Sequence, residues 1–201
     1  MLLNAHAIAF GDLKTQKLLT YFFLLMFLLE TEAYAQSEIE SIKKSISANV
    51  IFMRHALAPG FGDPLDFTKE DCSSQRNLNN EGRLQAKLIG SYLKKSNLLF
   101  SEILTSEWCR CVDTAKELDI GQFETFSGLN SFFEEHEKRD TVMAKLRKKL
   151  ASLKPSDLVL FVTHQVVITE LTDAVPRSGE MVLYNSLTKQ KIRFMVDFQY
   201  H

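Results

Sequence analysis

The sequence is short of several things, and each shortage narrows what the chain can do. Its formal net charge is only -1, so no bulk field draws it to nucleic acid or to an anionic membrane, and any attraction for an anion rests on a few local cations. It holds three cysteines, Cys72, Cys109 and Cys111. None is spaced with a histidine as metal ligands are, so no metal or other cofactor is expected. The longest apolar run, residues 18–29 (LLTYFFLLMFLL), is about a dozen residues, short of the roughly 20 that span a bilayer. No internal repeat, low-complexity tract or domain boundary interrupts residues 36–201.

What is present is the composition of a globular protein, 45% hydrophobic and 24% charged. The 201 residues suffice for one domain with a real core and are too few for two ordinary ones. The apolar run follows Lys14 and Lys17 and precedes TEAYAQ, the layout of a secretory signal peptide. Small residues at Ala33 and Ala35 set cleavage after Ala35. Residues 1–35 are therefore expected to be removed and residues 36–201 to form a periplasmic or secreted domain, with no stable membrane insertion afterwards. Export permits disulfides, and an odd cysteine count leaves at least one thiol free. Cys109 and Cys111 lie too close along one helix to pair with each other. Either Cys72 is bonded to one of them or all three are free, and both readings stay open.

Residues 37–48 read as a short polar helix or lead-in, and residues 49–53 (NVIFM) as a buried strand. That strand ends abruptly at Arg54-His55, before a loop broken by Pro59, Gly60, Gly62 and Pro64. From 79 to 95, Leu84, Leu88, Ile89 and Tyr92 recur at helical spacing behind an Asn79 or Asn80 cap. A strand at 101–106 and a helix at 109–118 follow. Then come a short strand at 123–126, a helix at 140–153 with Val142, Leu146 and Leu150 inward, and a strand at 157–163 (DLVLFVT). A helix at 166–172 and strands at 181–185 and 191–196 close the chain. Strand and helix alternate, so a three-layer α/β/α sandwich with a mostly parallel sheet is expected.

Three strands run into reactive residues: the first into Arg54 and His55, the second into Trp108 and Arg110, and DLVLFVT into His164. In open α/β sheets, ligands bind beyond the carboxyl ends of strands, so these residues are expected to converge. Two guanidiniums and two imidazoles in one place suit an anion. Guanidinium forks match phosphate oxygens, and their charge favours the neutral imidazole that acts as a nucleophile. Trp108 reads as packing beside the pocket. The basic residues Arg139, Lys145, Arg147, Lys148 and Lys149 read as the wet face of a helix.

The motifs resemble those of the histidine phosphatase superfamily, which includes phosphoglycerate mutases and phosphohistidine phosphatases. FMRHALAPG resembles its Arg-His signature, QRNLNNEGRLQAKLIG its R-x-L-x-x-x-G-R-x-Q-A segment, LTSEWCRCVDTA its SxxxRxxxTA segment, and VTHQ its second-histidine strand. These segments run from about residue 50 to 170 in the family's order. The runs DCSSQRNL, WCRC, LNSFF and THQV look like a bacterial exported subgroup. The resemblance implies a phosphoglycerate-mutase-like fold and a covalent phosphohistidine on His55, with no metal. It also implies that Arg54, Arg110 and His164 hold the phosphoryl group, that Arg76 is a further substrate contact, and that the substrate is a small phosphorylated molecule.

Two departures stand out. Ala56 replaces the commoner glycine, and Gln165 follows the second histidine where glycine is frequent, which alters the pocket wall and bears on substrate choice. Family members place a proton-donating carboxylate after the third strand. In LNSFFEEHEKRD that is Glu134, ahead of Glu135, while His136 reads as a surface residue. The reading is an exported phosphomonoesterase with specificity in the loop at 57–74. Its alternatives are a phosphomutase and a non-catalytic protein that binds phosphorylated ligands.

Overall fold

The computed structural model describes residues 38–197, and the expected signal segment lies outside them. Helix α1 (Glu38–Ser45) leads into β1 (Val50–Arg54). There follow α2 (Asn80–Lys95), β2 (Glu102–Thr105), α3 (Cys109–Leu118), β3 (Glu124–Thr125), α4 (Arg139–Ser152), β4 (Val159–Thr163), α5 (Gln165–Thr172), β5 (Met181–Tyr184) and β6 (Lys191–Phe194). Boundaries sit within a residue or two of those the sequence pattern predicts, the usual fraying at element ends, except that α1, expected over 37–48, ends at Ser45. No helix among the described residues is long and apolar enough to cross a membrane.

The strands form one sheet in the order β3-β2-β4-β1-β5-β6. The first four are parallel, β5 runs antiparallel to β1, and β6 antiparallel to β5. Alternate side chains of β1 enter opposite layers. Ile51 and Met53 join Ile103, Leu160 and Val162 beneath Ile39, Ile89, Leu93 and Leu118. Val50 and Phe52 join Leu104, Val159 and Phe161 beneath Val142, Leu146, Leu150, Val167 and Ile168. A central strand covered on both faces must be apolar on both, which is why NVIFM reads as an unbroken run. The result is the expected three-layer α/β/α sandwich with a mostly parallel sheet.

Helix α2 departs from the expected pattern. Asn79 caps it as expected, its side chain accepting from Gly82 N at 2.8 Å. Leu84, however, is 50% exposed, and the inward face is Gly82, Ala86, Ile89, Gly90 and Leu93. Small residues let the helix approach its neighbours closely. A β-carbon at Gly82 would stand 2.0 Å from Leu57 O, and one at Gly90 would stand 1.9 Å from Leu118 O. The helix is thereby seated directly against the chain that follows His55.

Candidate active site

Parallel pairing of β1 with β4 sets Arg54 opposite Thr163, so the next residues, His55 and His164, emerge side by side. Their ring centroids are 5.5 Å apart. The backbone there is tightly held: His55 N donates to Thr163 O at 2.9 Å, and Gly179 N donates to Arg54 O and His55 O. Ala56 N donates to Thr114 Oγ1 at 3.0 Å, and Thr114 Oγ1 donates to Arg110 O. Leu57 N donates to Gln85 Oε1, whose Nε2 donates to Ser178 O. Thus Thr114 of VDTA and Gln85 of RLQA fix the turn that carries His55.

Nδ1 of His55 lies 2.8 Å from Ala56 O. A carbonyl only accepts, so Nδ1 carries the proton and Nε2 keeps its lone pair. Burial, and then the charge of Arg110, hold the His55 pKa well below its ordinary value. Burial and Arg110 depress His164 in the same way, with His55 contributing next. Both imidazoles are neutral at working pH. His164 Nε2 lies 2.9 Å from Ser106 Oγ, which in turn donates to Asn130 Oδ1 at 3.2 Å, while Nδ1 lies 3.5 Å from Arg110 Nη2. With the hydroxyl proton directed to Asn130, His164 Nε2 is the donor to Ser106.

Around the two rings is a cavity of about 180 Å³ walled by Arg54, Arg76, Arg110, Gln165 and the two histidines, with Phe61 and Phe133 at its rim. Arg54 Nη1 donates to Gln165 Oε1 at 2.7 Å and to Pro176 O at 3.0 Å. Arg76 donates through Nε to Gly62 O at 2.8 Å and through Nη1 to Ala58 O. The expected site residues Arg54, His55, Arg76, Arg110, His164 and Gln165 are all brought together. Among the described residues, the Nε atoms of Arg54 and Arg110 are buried with no hydrogen-bond partner.

The sequence reading missed Asp63. Its side chain is buried against Arg110, with 3% and 4% exposure respectively, and it accepts four hydrogen bonds. Arg110 Nη1 and Nη2 donate at 2.8 and 3.1 Å, Arg76 N at 3.1 Å, and Trp108 Nε1 at 3.2 Å. Burial works to raise the Asp63 pKa, but the hydrogen bonds and charge of Arg110 outweigh it and hold the carboxyl below its ordinary range. The signal that could have found it is physical: one buried and two half-buried guanidiniums call for a counter-charge, and the adjoining loop supplies one. Three guanidiniums, one carboxylate and two neutral imidazoles leave an excess of positive charge suited to a phosphoryl dianion.

The loop bearing Asp63 is tied down at several points. Cys72 is bonded to Cys109, and Cys111 is a buried free thiol whose pKa burial pushes up to about 12. Of the two readings the sequence left open, the disulfide holds. Cys109 N also donates to Gln75 Oε1, and Gln75 Nε2 donates to Thr68 O and Lys69 O. Trp108 packs as expected, fully buried and stacked on Phe67 at 5.1 Å.

Glu134 and Glu135 both adopt left-handed backbone angles (φ 57° and 61°). The Glu134 carboxylate covers Gly62 in the cavity wall: a β-carbon at residue 62 would meet its oxygens at 2.6 and 2.8 Å. His136 is not a simple surface residue. It is half-buried, its ring 4.7 Å from that of Phe67, with Nε2 3.7 Å from Glu134 Oε2. Aromatic packing against the 57–74 loop draws it inward.

No protein-family model matches the chain, and no curated protein matches it. Solved structures do. The open reading frame Rv3214 of Mycobacterium tuberculosis aligns at 18% identity over 71% of this chain and 94% of its own, with a TM-score of 0.53. TTHB049 of Thermus thermophilus aligns at 13% over 73% and 99%, with a TM-score of 0.52. The protein histidine phosphatase SixA, solved with tungstate, aligns at 18% over 73% and 94%, but its TM-score of 0.48 is too low to carry an argument. At these identities the likeness concerns the fold, and the fold agrees with the superfamily that the motifs resemble.

Proposed function

We propose that the chain is an exported member of the histidine phosphatase superfamily, a metal-independent phosphomonoesterase that works through a phosphohistidine on His55. One observation carries this reading. Two guanidiniums whose Nε is buried without a partner, those of Arg54 and Arg110, line a cavity with a neutral histidine, His55, that carries its proton on Nδ1. A buried unpaired donor costs about 1–3 kcal/mol, so the cavity is preorganised for an acceptor-rich anion. Function resides in such a site rather than in the fold.

In the proposed reaction His55 Nε2 attacks phosphorus, a P–N bond forms and the P–O ester bond breaks. Arg54 and Arg110 stabilise the charge on the transferring oxygens, while His164, with Nε2–H donated to Ser106 and Nδ1 accepting from Arg110 Nη2, positions that guanidinium. Glu134, placed over Gly62, gives its proton to the leaving alkoxide and then takes one from water. That water attacks phosphorus, the P–N bond breaks, and inorganic phosphate leaves. Asp63 contributes by fixing the Arg110 guanidinium through both Nη atoms. Export is supported by the basic-apolar-small layout of residues 1–35 and by the Cys72–Cys109 bond, which suits an oxidising compartment.

The test is phosphate release from a panel of phosphomonoesters, with chelator present, by the protein and by His55→Ala. Chelator-resistant turnover that disappears in the variant is expected. Turnover that persists in His55→Ala, or that the chelator abolishes, contradicts the reading.

A further inference from the structure

The rim of the cavity is aromatic, and its construction says what the rest of the substrate looks like. Phe61 is 84% exposed and meets Phe133 edge to face, their ring centroids 5.1 Å apart at 87°. Each is projected by unusual backbone. Phe61 stands between Gly60 and Gly62, at φ +96° and +67°. Phe133 precedes Glu134 and Glu135, two non-glycine residues in the left-handed region. Such conformations are strained in non-glycine residues and gather at ligand sites. Arg76 braces the Phe61 turn by donating to Gly62 O and Ala58 O.

Charge at the rim points the same way. Arg54 and Arg110 are held toward the phosphoryl end by Gln165, Pro176 and Asp63. No lysine lines the cavity among the described residues. Arg76, the charged group that lines both the cavity and its rim, is engaged through Nε and Nη1 by Gly62 O and Ala58 O. A neighbouring hollow of about 380 Å³ shares Gly60, Phe61, Gly62 and Arg76 with the cavity and adds Asp63, whose carboxylate is taken up by Arg110, and Pro64, giving room for a leaving group. A second anion on the substrate would meet two phenyl rings, beside an Arg76 already engaged by backbone carbonyls. A neutral ring would find aromatic faces and edges, with which flat groups pack favourably.

Building on the phosphatase reading, we infer that the leaving group is an uncharged alcohol carrying a ring with an apolar face, aryl or pyranose, packed on Phe61 and Phe133. The test compares kcat/KM for phenyl phosphate, glucose 6-phosphate, glycerol 3-phosphate and 3-phosphoglycerate, with inhibition by inorganic phosphate alongside. One or both ring esters should exceed glycerol 3-phosphate about tenfold, and 3-phosphoglycerate should be the poorest; which ring ester leads separates aryl from sugar. Phe61→Ala, at a side chain too exposed to matter for folding, should raise KM for the preferred ring ester about tenfold and leave phosphate inhibition within about twofold. Equal or better use of 3-phosphoglycerate, or a Phe61→Ala defect that falls equally on inorganic phosphate, overturns the inference and leaves the phosphatase reading standing. If no ester turns over, the phosphatase reading falls and calorimetry decides this one. Phenylphosphonate binding about tenfold tighter than inorganic phosphate in the protein, but not in Phe61→Ala, supports it; equal binding overturns it.

Discussion

Asparagine at position 63 keeps the shape of the aspartate and removes its charge, so it isolates what the carboxylate does for Arg110. In the native site all four hydrogen bonds to Asp63 come from donors: two from Arg110, one from Arg76 N and one from Trp108 Nε1. Asparagine offers one carbonyl oxygen and sets its NH2 against donors on the other side. Arg110, 4% exposed at its side chain, is left with an uncompensated buried charge. Breaking a buried pair in this way costs about 3–5 kcal/mol. Urea denaturation of Asp63→Asn should therefore show a loss of that order, with phosphate restoring part of it by supplying a substitute anion. If Asp63 acts through Arg110, Asp63→Asn should reduce kcat in the native background and add little in an Arg110→Ala background. A stability loss under about 1 kcal/mol, or rate defects that multiply independently in the double variant, would refute the reasoning. The pair also has a pH signature. The folded Asp63 pKa is below its ordinary 3.8, so its stabilisation is complete above that value and is lost as pH falls through the folded pKa.

Further expectations concern the disulfide, a close contact and the histidines. Reducing Cys72–Cys109, which spans a sequence separation of 37, should cost about 3–4 kcal/mol, seen as a lower melting temperature that the Cys72→Ser/Cys109→Ser variant reproduces without reductant. Gly90→Ala should cost about 1–3 kcal/mol by urea midpoint despite a better helix propensity, because its β-carbon would stand 1.9 Å from Leu118 O. His55 and His164 are depressed below 6.5 in the fold. The folded state therefore binds fewer protons than the unfolded chain once pH drops under that value, so stability should fall on acidification below about pH 6.5. Nitrogen-15 imidazole resonances should show both rings still neutral at pH 6.5; a ring half-protonated there contradicts the assignment.

Much of this is legible in the sequence, for identifiable reasons. The unbroken apolar runs at 50–53 and 159–162 mark strands buried on both faces, and their abrupt ends at His55 and His164 place the two imidazoles. Arg110 follows because it opens the helix after the neighbouring strand. Where the reading fails, the information is non-local. Leu84 looks like a core position until Gly82 and Gly90 turn out to be the contacts, since close approach of backbones leaves no large residue to read. Asp63 lies 47 positions from Arg110 in a Gly- and Pro-rich loop with no periodicity, and only the folded loop pairs them. The disulfide stays open in the sequence for the same reason. His136 looks solvated because its neighbours are charged, whereas the ring that shelters it, Phe67, comes from a distant loop.

The most direct test of the central claim is to trap the intermediate: mix the protein with a turned-over phosphomonoester, quench in alkali, and locate the phosphoryl group by peptide mass spectrometry. The account predicts one acid-labile, alkali-stable phosphoryl group on the peptide containing His55, on the nitrogen not bonded to Ala56 O, and none in His55→Ala. Active turnover with no phosphohistidine within the burst phase, or with the phosphoryl group on His164 instead, would contradict it.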